Sequence, residues 1–483
     1  MIKTTAKFSF LKNPYLVALV VVVIACVWLR LKFFMIESMW PDEALYAWNG
    51  VKISSDPSSL FTKQLWDFHP PGFSILIALF NVIVDYDIAL RLVSPAFAVA
   101  GVVLIYFLGK ELRSEFVGLS SAIMLCFNHL YWFISNRILL DAPLTTLCLA
   151  VVYAEVKYTK SKQKKWLLLS LVFLLSVLMI KTEGILMVGF TILFVIRYYA
   201  KEIRRKYGNL KWIVAGIIAG VALVIVLSRL NLHDTFRISA ENLASASRLD
   251  FRYVLSWPFF VLFLVGLIFA LLRRTAAYWI LMLYLVAILV PKIVVGHTFV
   301  PRYMLPALPS MLIIAAMGTE DVLMMIRGWG LKINQWIIVG AICLLCIPSY
   351  TKGKRLHIER QIGYTGFEEA GELIKKTNAE LTYAMSMRAI RYYSNIEYEK
   401  YGGRLLPFPN DRAAFQNAIK GKSVVIEVDI FEYSAPAYVY PLTQANIRFL
   451  GALGFYLKGR VDRPIPGKKG MQNAGVIYVF EKR

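Results

Sequence analysis

Two carboxylates, Asp42 and Glu43, stand side by side in "SMWPDEALYAWNG", among Trp40, Tyr46 and Trp48 and a few residues after a long apolar run. Acids near a hydrocarbon boundary are costly unless they are paired or functional. A helix start also accounts for them, because "PDEA" places negative charge in a first turn, where it complements the macrodipole. Other polar groups recur in the same setting. In "DFHPPGF" consecutive prolines fix an extended backbone and present His69 at a rigid corner. In "SNRILLDAPL" Arg137 and Asp141 are four apart, which puts them on one face if the helix has begun. That spacing reads either as a local ion pair that caps the helix or as a second carboxylate, Asp141, brought beside Asp42. Arg91, Lys181, Arg302 and His297 lie near the ends of further apolar runs, where any one of them alone reads as a snorkelling anchor.

Carboxylates beside a ring of cations at a lipid boundary suit displacement of a phosphate leaving group from a lipid-carried sugar by an acceptor hydroxyl. One carboxylate takes the hydroxyl proton as general base, and the cations stabilise the charge growing on the phosphate. Asp42, Glu43 and Asp141 form a set that could also hold a divalent cation, although several nearby cations can serve the leaving group without one.

The elements that must position these groups follow from composition. Of 483 residues 58% are hydrophobic, above the share of an ordinary soluble domain. The formal charge of +23 falls in short clusters between apolar runs, as cytoplasmic loops do, and forms no continuous basic face for nucleic acid. All five cysteines lie inside apolar runs, which excludes a disulfide framework, and the C-x-x-C of Cys343 and Cys346 lacks the histidines or turn of a zinc or redox site. The first run is too long for a signal-peptide core and is read as retained.

Spans are expected near 14–34, 88–108, 116–135, 138–156, 166–181, 184–199, 212–229, 254–272, 277–295, 303–325 and 334–350, about eleven of them. The run "GFSILIALFNVIV" at 72–84 is too short to cross and reads as surface-lying or re-entrant. Leaving it out puts "KYTKSKQKK", "RYYAKEIRRKYGNLK", "LLRRT" and "RGWGLK" on the side of the N-terminal lysines, which makes the N-terminus cytoplasmic. Asp42, His69, Asp141, Lys181, the 231–253 loop and "GHTFVPRY" then share the outer face, in a cell-membrane protein with many passes. Trp40, Tyr46 and Trp48 are expected in the interfacial aromatic belt.

The chain thus divides into a transmembrane domain, 1–350, whose first external loop of about 35–87 carries the acids, and an extracytoplasmic α/β domain, 351–483. In the latter "FEEAGELIKKT" and "RAAFQNAIKG" read as helices, and "LTYAMS", "KSVVIEVDIF" and "AGVIYVFEK" as strands. The fold class is an α-helical polytopic membrane protein with a small C-terminal α/β domain.

In order along residues 14 to 325, "PDEALY", "FHPPGF", "ALRLVSPAFAVAGVVLIYFLGKELRSEFVGLSSAIML", "SNRILLDAPL", "IKTEGIL" and "RYMLPALPSMLIIAA" resemble the landmarks of the dolichyl-phosphate-mannose protein mannosyltransferase and aminoarabinose transferase superfamily. These are membrane glycosyltransferases of the GT-C fold. The resemblance implies an inverting transfer from a polyprenyl-phosphate-linked sugar to a lipid, glycan or protein hydroxyl in the cell envelope. It makes Asp42 the catalytic acid, Glu43 its neighbour, Asp141 the second external acid, and His69 the group standing where members carry a basic residue before the prolines. His69, Arg91, Arg137, Lys181, His297 and Arg302 then serve the donor phosphate, and the mannosyltransferase branch implies no bound metal. Leu45 and His69 depart from the arginine and lysine usual in lipid A aminoarabinose transferases, and the 230–253 loop is too short for the luminal insert of eukaryotic protein mannosyltransferases. The first departure points away from lipid A modification, and the second to a prokaryotic relative. The alternative is a transporter or flippase of lipid-linked sugars, which would show internal pseudo-symmetry and midplane charges.

Overall fold

The computed structural model describes residues 12–34, 39, 41–66, 69–198, 251–295, 301–363, 366–384, 387–396, 401–403, 412–431, 444–464 and 473–482. His297, Trp40, the span expected at 212–229 and most of the 230–253 loop lie outside the described residues.

The first long helix, Pro14–Leu31, begins where sequence chemistry dictates. Pro14 occupies the first turn, and the Asn13 side chain accepts from the N–H groups of Tyr15 and Leu16. Its 18 residues span roughly the hydrocarbon thickness. Among the described residues four helices are long and apolar enough to cross a membrane: Pro14–Leu31, Tyr86–Leu112, Pro301–Gly328 and Gln335–Ile358. A fifth crossing arises if Glu115–Phe127 and His129–Ser135 act together across their 60° bend. Asn128 makes that bend. Its extended backbone stops the first helix, its side-chain oxygen caps the second at Tyr131, and its amide reaches the Val254 carbonyl at 2.8 Å. The run at 72–84 forms a helix of only 10 residues, Gly72–Asn81, about 15 Å long and half a bilayer core.

Glycines let the central helices touch backbone to backbone. A Cβ on Gly266 would lie 2.2 Å from the Ile314 carbonyl oxygen, and one on Gly318 would lie 2.4 Å from the Gly266 Cα. Small residues at such crossings are the usual means of close helix approach in membranes. Near the expected cytoplasmic ends, Arg113 bonds Glu320 at 2.9 Å and Asp321 at 2.8 Å, and Tyr278 donates to Asp321 at 2.7 Å. The five cysteines are free, four of them buried.

The C-terminal unit contains a five-stranded mixed sheet of β1 (Leu381–Ala384), β2 (Tyr401–Gly403), β3 (Val424–Phe431), β4 (Tyr456–Pro464) and β5 (Asn473–Lys482), in the order β2-β1-β3-β5-β4. β1 pairs in parallel with β2 and β3, while β5 runs antiparallel to β3 and β4. The expected strands appear as β1, β3 and β5. Strands β2 and β4 and the helices Met387–Ser394 and Gln444–Ala452 have no counterpart in the sequence reading. The division expected at 350/351 falls inside one 29-residue helix, Gln335–Gly363, in which Gly353 packs against the Trp132 ring without interrupting the turn.

Gly266→Val should destabilise the protein by about 1–3 kcal/mol, the scale of overpacking. A lowered thermal-unfolding midpoint in detergent checks it, and an unchanged midpoint would show that the two helices can part.

Candidate active site

The helix Pro41–Ser55 carries both acids in its first turn. Consecutive helical residues point about 100° apart, so the two carboxylates meet different surroundings. Glu43 turns into the bundle and is 2% exposed. Its Oε2 accepts from Arg137 Nη2 at 2.6 Å and its Oε1 from the Ile138 N–H at 2.9 Å. Arg137 therefore pairs with Glu43, 94 residues away. The helix containing Asp141 begins at Asp141 itself, and Arg137 sits in the preceding turn, so four residues of spacing do not make one helical face.

Asp42 faces the other way, towards the joint between the bundle and the C-terminal unit. Its Oδ2 accepts from Arg302 Nη2 at 2.8 Å, and its Oδ1 from Arg388 Nη1 at 2.6 Å. Arg302 rises from the 3₁₀ turn Pro301–Ala307, and Arg388 from the helix Met387–Ser394. Arg388 is absent from the sequence reading. Its signal, two arginines three apart in "MRAIRYYS", gives no partner, since the acid lies 346 residues away.

Asp141 stands beside this pair, and its charge acts on both Arg302 and the Tyr46 hydroxyl. Lys181 approaches it at 3.9 Å, reaches Glu183 at 3.3 Å and lies 4.2 Å over the Tyr303 ring, whose face also carries Arg302. The result is a row of alternating charge: Arg388, Asp42, Arg302, Asp141, Lys181, Glu183. Glu43 does not join Asp42 and Asp141 in one ligand set. Among the described residues no three His, Cys, Asp or Glu side chains gather as a metal site.

Tyr46 is not an interfacial anchor. It is buried, stacked on His69 with ring centroids 6.4 Å apart and edge-on to Phe73. Burial, then the charges of Asp42 and Asp141, push its hydroxyl well above the usual tyrosine range. Trp48 lies under the Arg391 guanidinium at 4.5 Å. Burial, with Lys181 adding, holds His69 down to about 4, so it is a neutral ring at neutral pH and no cation. Arg91 acts on Tyr392 and Tyr393 of the C-terminal unit.

This architecture is the GT-C fold of membrane glycosyltransferases. Residues 68–230 match the family model described as dolichyl-phosphate-mannose-protein mannosyltransferase. ArnT from Cupriavidus metallidurans in the apo state is similar over 95% of this chain and 97% of its own, with a TM-score of 0.63 and 10% identity. ArnT from the same organism bound to undecaprenyl phosphate is similar over 96% and 98%, at 0.63 and 10%. The archaeal oligosaccharyltransferase AglB from Archaeoglobus fulgidus, in complex with an inhibitory peptide and a dolichol-phosphate, is similar over 87% of this chain and 70% of its own, at 0.64 and 10%. No curated protein matches the sequence.

Glu43→Gln should cost about 3–5 kcal/mol, because it leaves the Arg137 charge buried without its counterion. Chemical unfolding in detergent measures this, and pairing the change with Arg137→Met should recover part of the loss. His69 gives a pH signature. Unfolded it titrates near its ordinary 6.5, folded near 4. Below 6.5 the unfolded chain takes up a proton that the folded one refuses, so stability falls as pH drops from 6.5 towards 4 and is unaffected above. His69→Gln should flatten thermal stability across that window.

Proposed function

We propose that the protein is an integral membrane glycosyltransferase that moves one sugar from a polyprenyl-phosphate donor to a hydroxyl on a lipid, glycan or protein at the outer face, with inversion. The observation that carries the reading is Asp42, a part-exposed carboxylate set among cations at one end of a GT-C bundle. The undecaprenyl phosphate bound to ArnT and the dolichol-phosphate bound to AglB support a donor of that class.

The chemistry is a single displacement. The acceptor hydroxyl gives its proton to an Asp42 oxygen as its own oxygen bonds to the sugar C1. The C1–O bond to phosphate breaks on the opposite face, and its electron pair goes to the phosphate. The diester donor carries one negative charge and the monoester product up to two, so charge grows on the leaving group. Arg302 and Lys181 are the bundle cations in place to stabilise it. Asp141 orients Lys181 and Arg302. Glu43 and Arg137 hold the helix that presents Asp42. His69, being neutral, acts as a hydrogen-bonding ring beside the donor.

The cell-envelope placement, a cytoplasmic N-terminus and an outer α/β domain belong to the same reading, carried by the lysine-rich clusters. Asp42→Asn should lower transfer by about 10²–10⁴-fold, the range of a general base, while the protein stays folded and membrane-inserted. Release of polyprenyl phosphate measures it, and an unchanged rate would overturn the role. Mass spectrometry of envelope glycans, lipids and proteins with and without the gene should reveal one missing sugar, and with it donor and acceptor.

A further inference from the structure

We infer that Arg388 is a positioning residue that latches Asp42 and is drawn off it by the donor phosphate, so that the base is uncovered when the donor is in place. This rests on the reading of Asp42 as base and of a polyprenyl phosphate as donor.

Arg388 Nη1 lies 2.6 Å from Asp42 Oδ1 and so engages one of the two carboxylate oxygens able to take a proton. Arg302 holds the other oxygen, and the two arginines are not equivalent. Arg302 belongs to a turn whose following residues Met304, Leu305, Pro306 and Ala307 are all buried, and its side chain is 12% exposed. Arg388 is 29% exposed and comes from the outer unit.

The backbone under Arg388 is fixed. Tyr393 Oη accepts the Met39 N–H at 2.8 Å, Arg391 covers Trp48, and Ala389 and Ile390 are fully buried. Behind it, Gly371 lets the helix Phe367–Lys375 come so close that a Cβ there would lie 2.5 Å from the Tyr393 Cβ. The helix is thereby tied to the one that carries Asp42, and Arg388 reaches that acid along a long side chain with several rotatable bonds.

Charge supplies the force for that swing. The row from Arg388 to Glu183 alternates three cations with three carboxylates, so an arriving phosphate adds negative charge to a balanced set. A guanidinium matches phosphate oxygens bidentately, and phosphate competes with a carboxylate for it. Arg388, the more exposed of the two, is the one that transfers.

The test is a binding cycle on the full-length protein in detergent, with undecaprenyl phosphate as probe and uncharged undecaprenol as control. Wild type, Arg388→Gln, Asp42→Asn and the double variant are compared. Arg388→Gln should weaken undecaprenyl phosphate about tenfold, the scale of one charge-assisted hydrogen bond, and leave undecaprenol unchanged. Asp42→Asn should tighten the phosphate, and that gain should shrink once Arg388 is gone. If Arg388→Gln does not fold, Arg388→Lys serves in its place and should give a smaller loss of the same sign. Equal phosphate affinity in wild type and the Arg388 variant, or an Asp42→Asn gain that ignores Arg388, overturns the latch and leaves the donor reading standing. Absence of phosphate-dependent binding in all four proteins overturns both.

Discussion

A carboxylate removed from water must be met by a cation, and the buried pair of Glu43 with Arg137 meets that demand. Both side chains are buried, and each would carry a desolvation penalty of several kcal/mol alone. The pair adds direction more than net stability. Arg137 and the Ile138 N–H together grip both Glu43 oxygens, so the helix Pro41–Ser55 can start at one place and one angle. Asp42, one residue earlier on the turn, is aimed as a consequence.

From that anchor the rest of the site follows by packing. Tyr46, a turn beyond Asp42, lies inward against His69 and Phe73, and Ser74 bonds its carbonyl at 3.2 Å. The short helix Gly72–Asn81 comes under the acid helix because Gly50 has no Cβ to strike Ile77. Gly72 in turn leaves room for the Met179 carbonyl, beside the Lys181 that ends the neighbouring helix. The bundle supplies Arg302 and Lys181, and the α/β unit supplies Arg388 and the seat of Arg391 on Trp48. The candidate chemistry therefore sits on a joint between two units, with the Asp42 carboxylate held from both sides.

Legibility tracked the range of the interaction concerned. The helix at Pro14 was readable because Asn13 and Pro14 are a local cap, and the brevity of the 72–84 run because length against bilayer thickness needs no partner. Asp42, Asp141, Lys181 and Arg302 were readable as candidates because charge beside apolar runs is costly wherever the chain goes. Their pairing was not. The spacing of Arg137 and Asp141 left a local ion pair and a carboxylate beside Asp42 both open, while the structure pairs Arg137 with Glu43, 94 residues away. Tyr46 and Trp48 matched an interfacial belt by type, yet one is packed inside the site and the other under an arginine. Arg388 lay in a short amphipathic helix of eight residues, and its ion pair is with Asp42, 346 residues away.

What the sequence determined by itself is the solvent each segment needs: which runs prefer hydrocarbon, where charge must leave it, and which acids stand at the boundary. These depend on composition and on one-dimensional period, and transfer free energies are properties of residues. Only the tertiary structure decided which cation each acid takes, that Glu43 holds while Asp42 faces the joint, that His69 is a neutral ring, and that the C-terminal unit reaches Asp42 through Arg388. Those are properties of distances across hundreds of residues, set by how buried charges find counterions once the helices have packed.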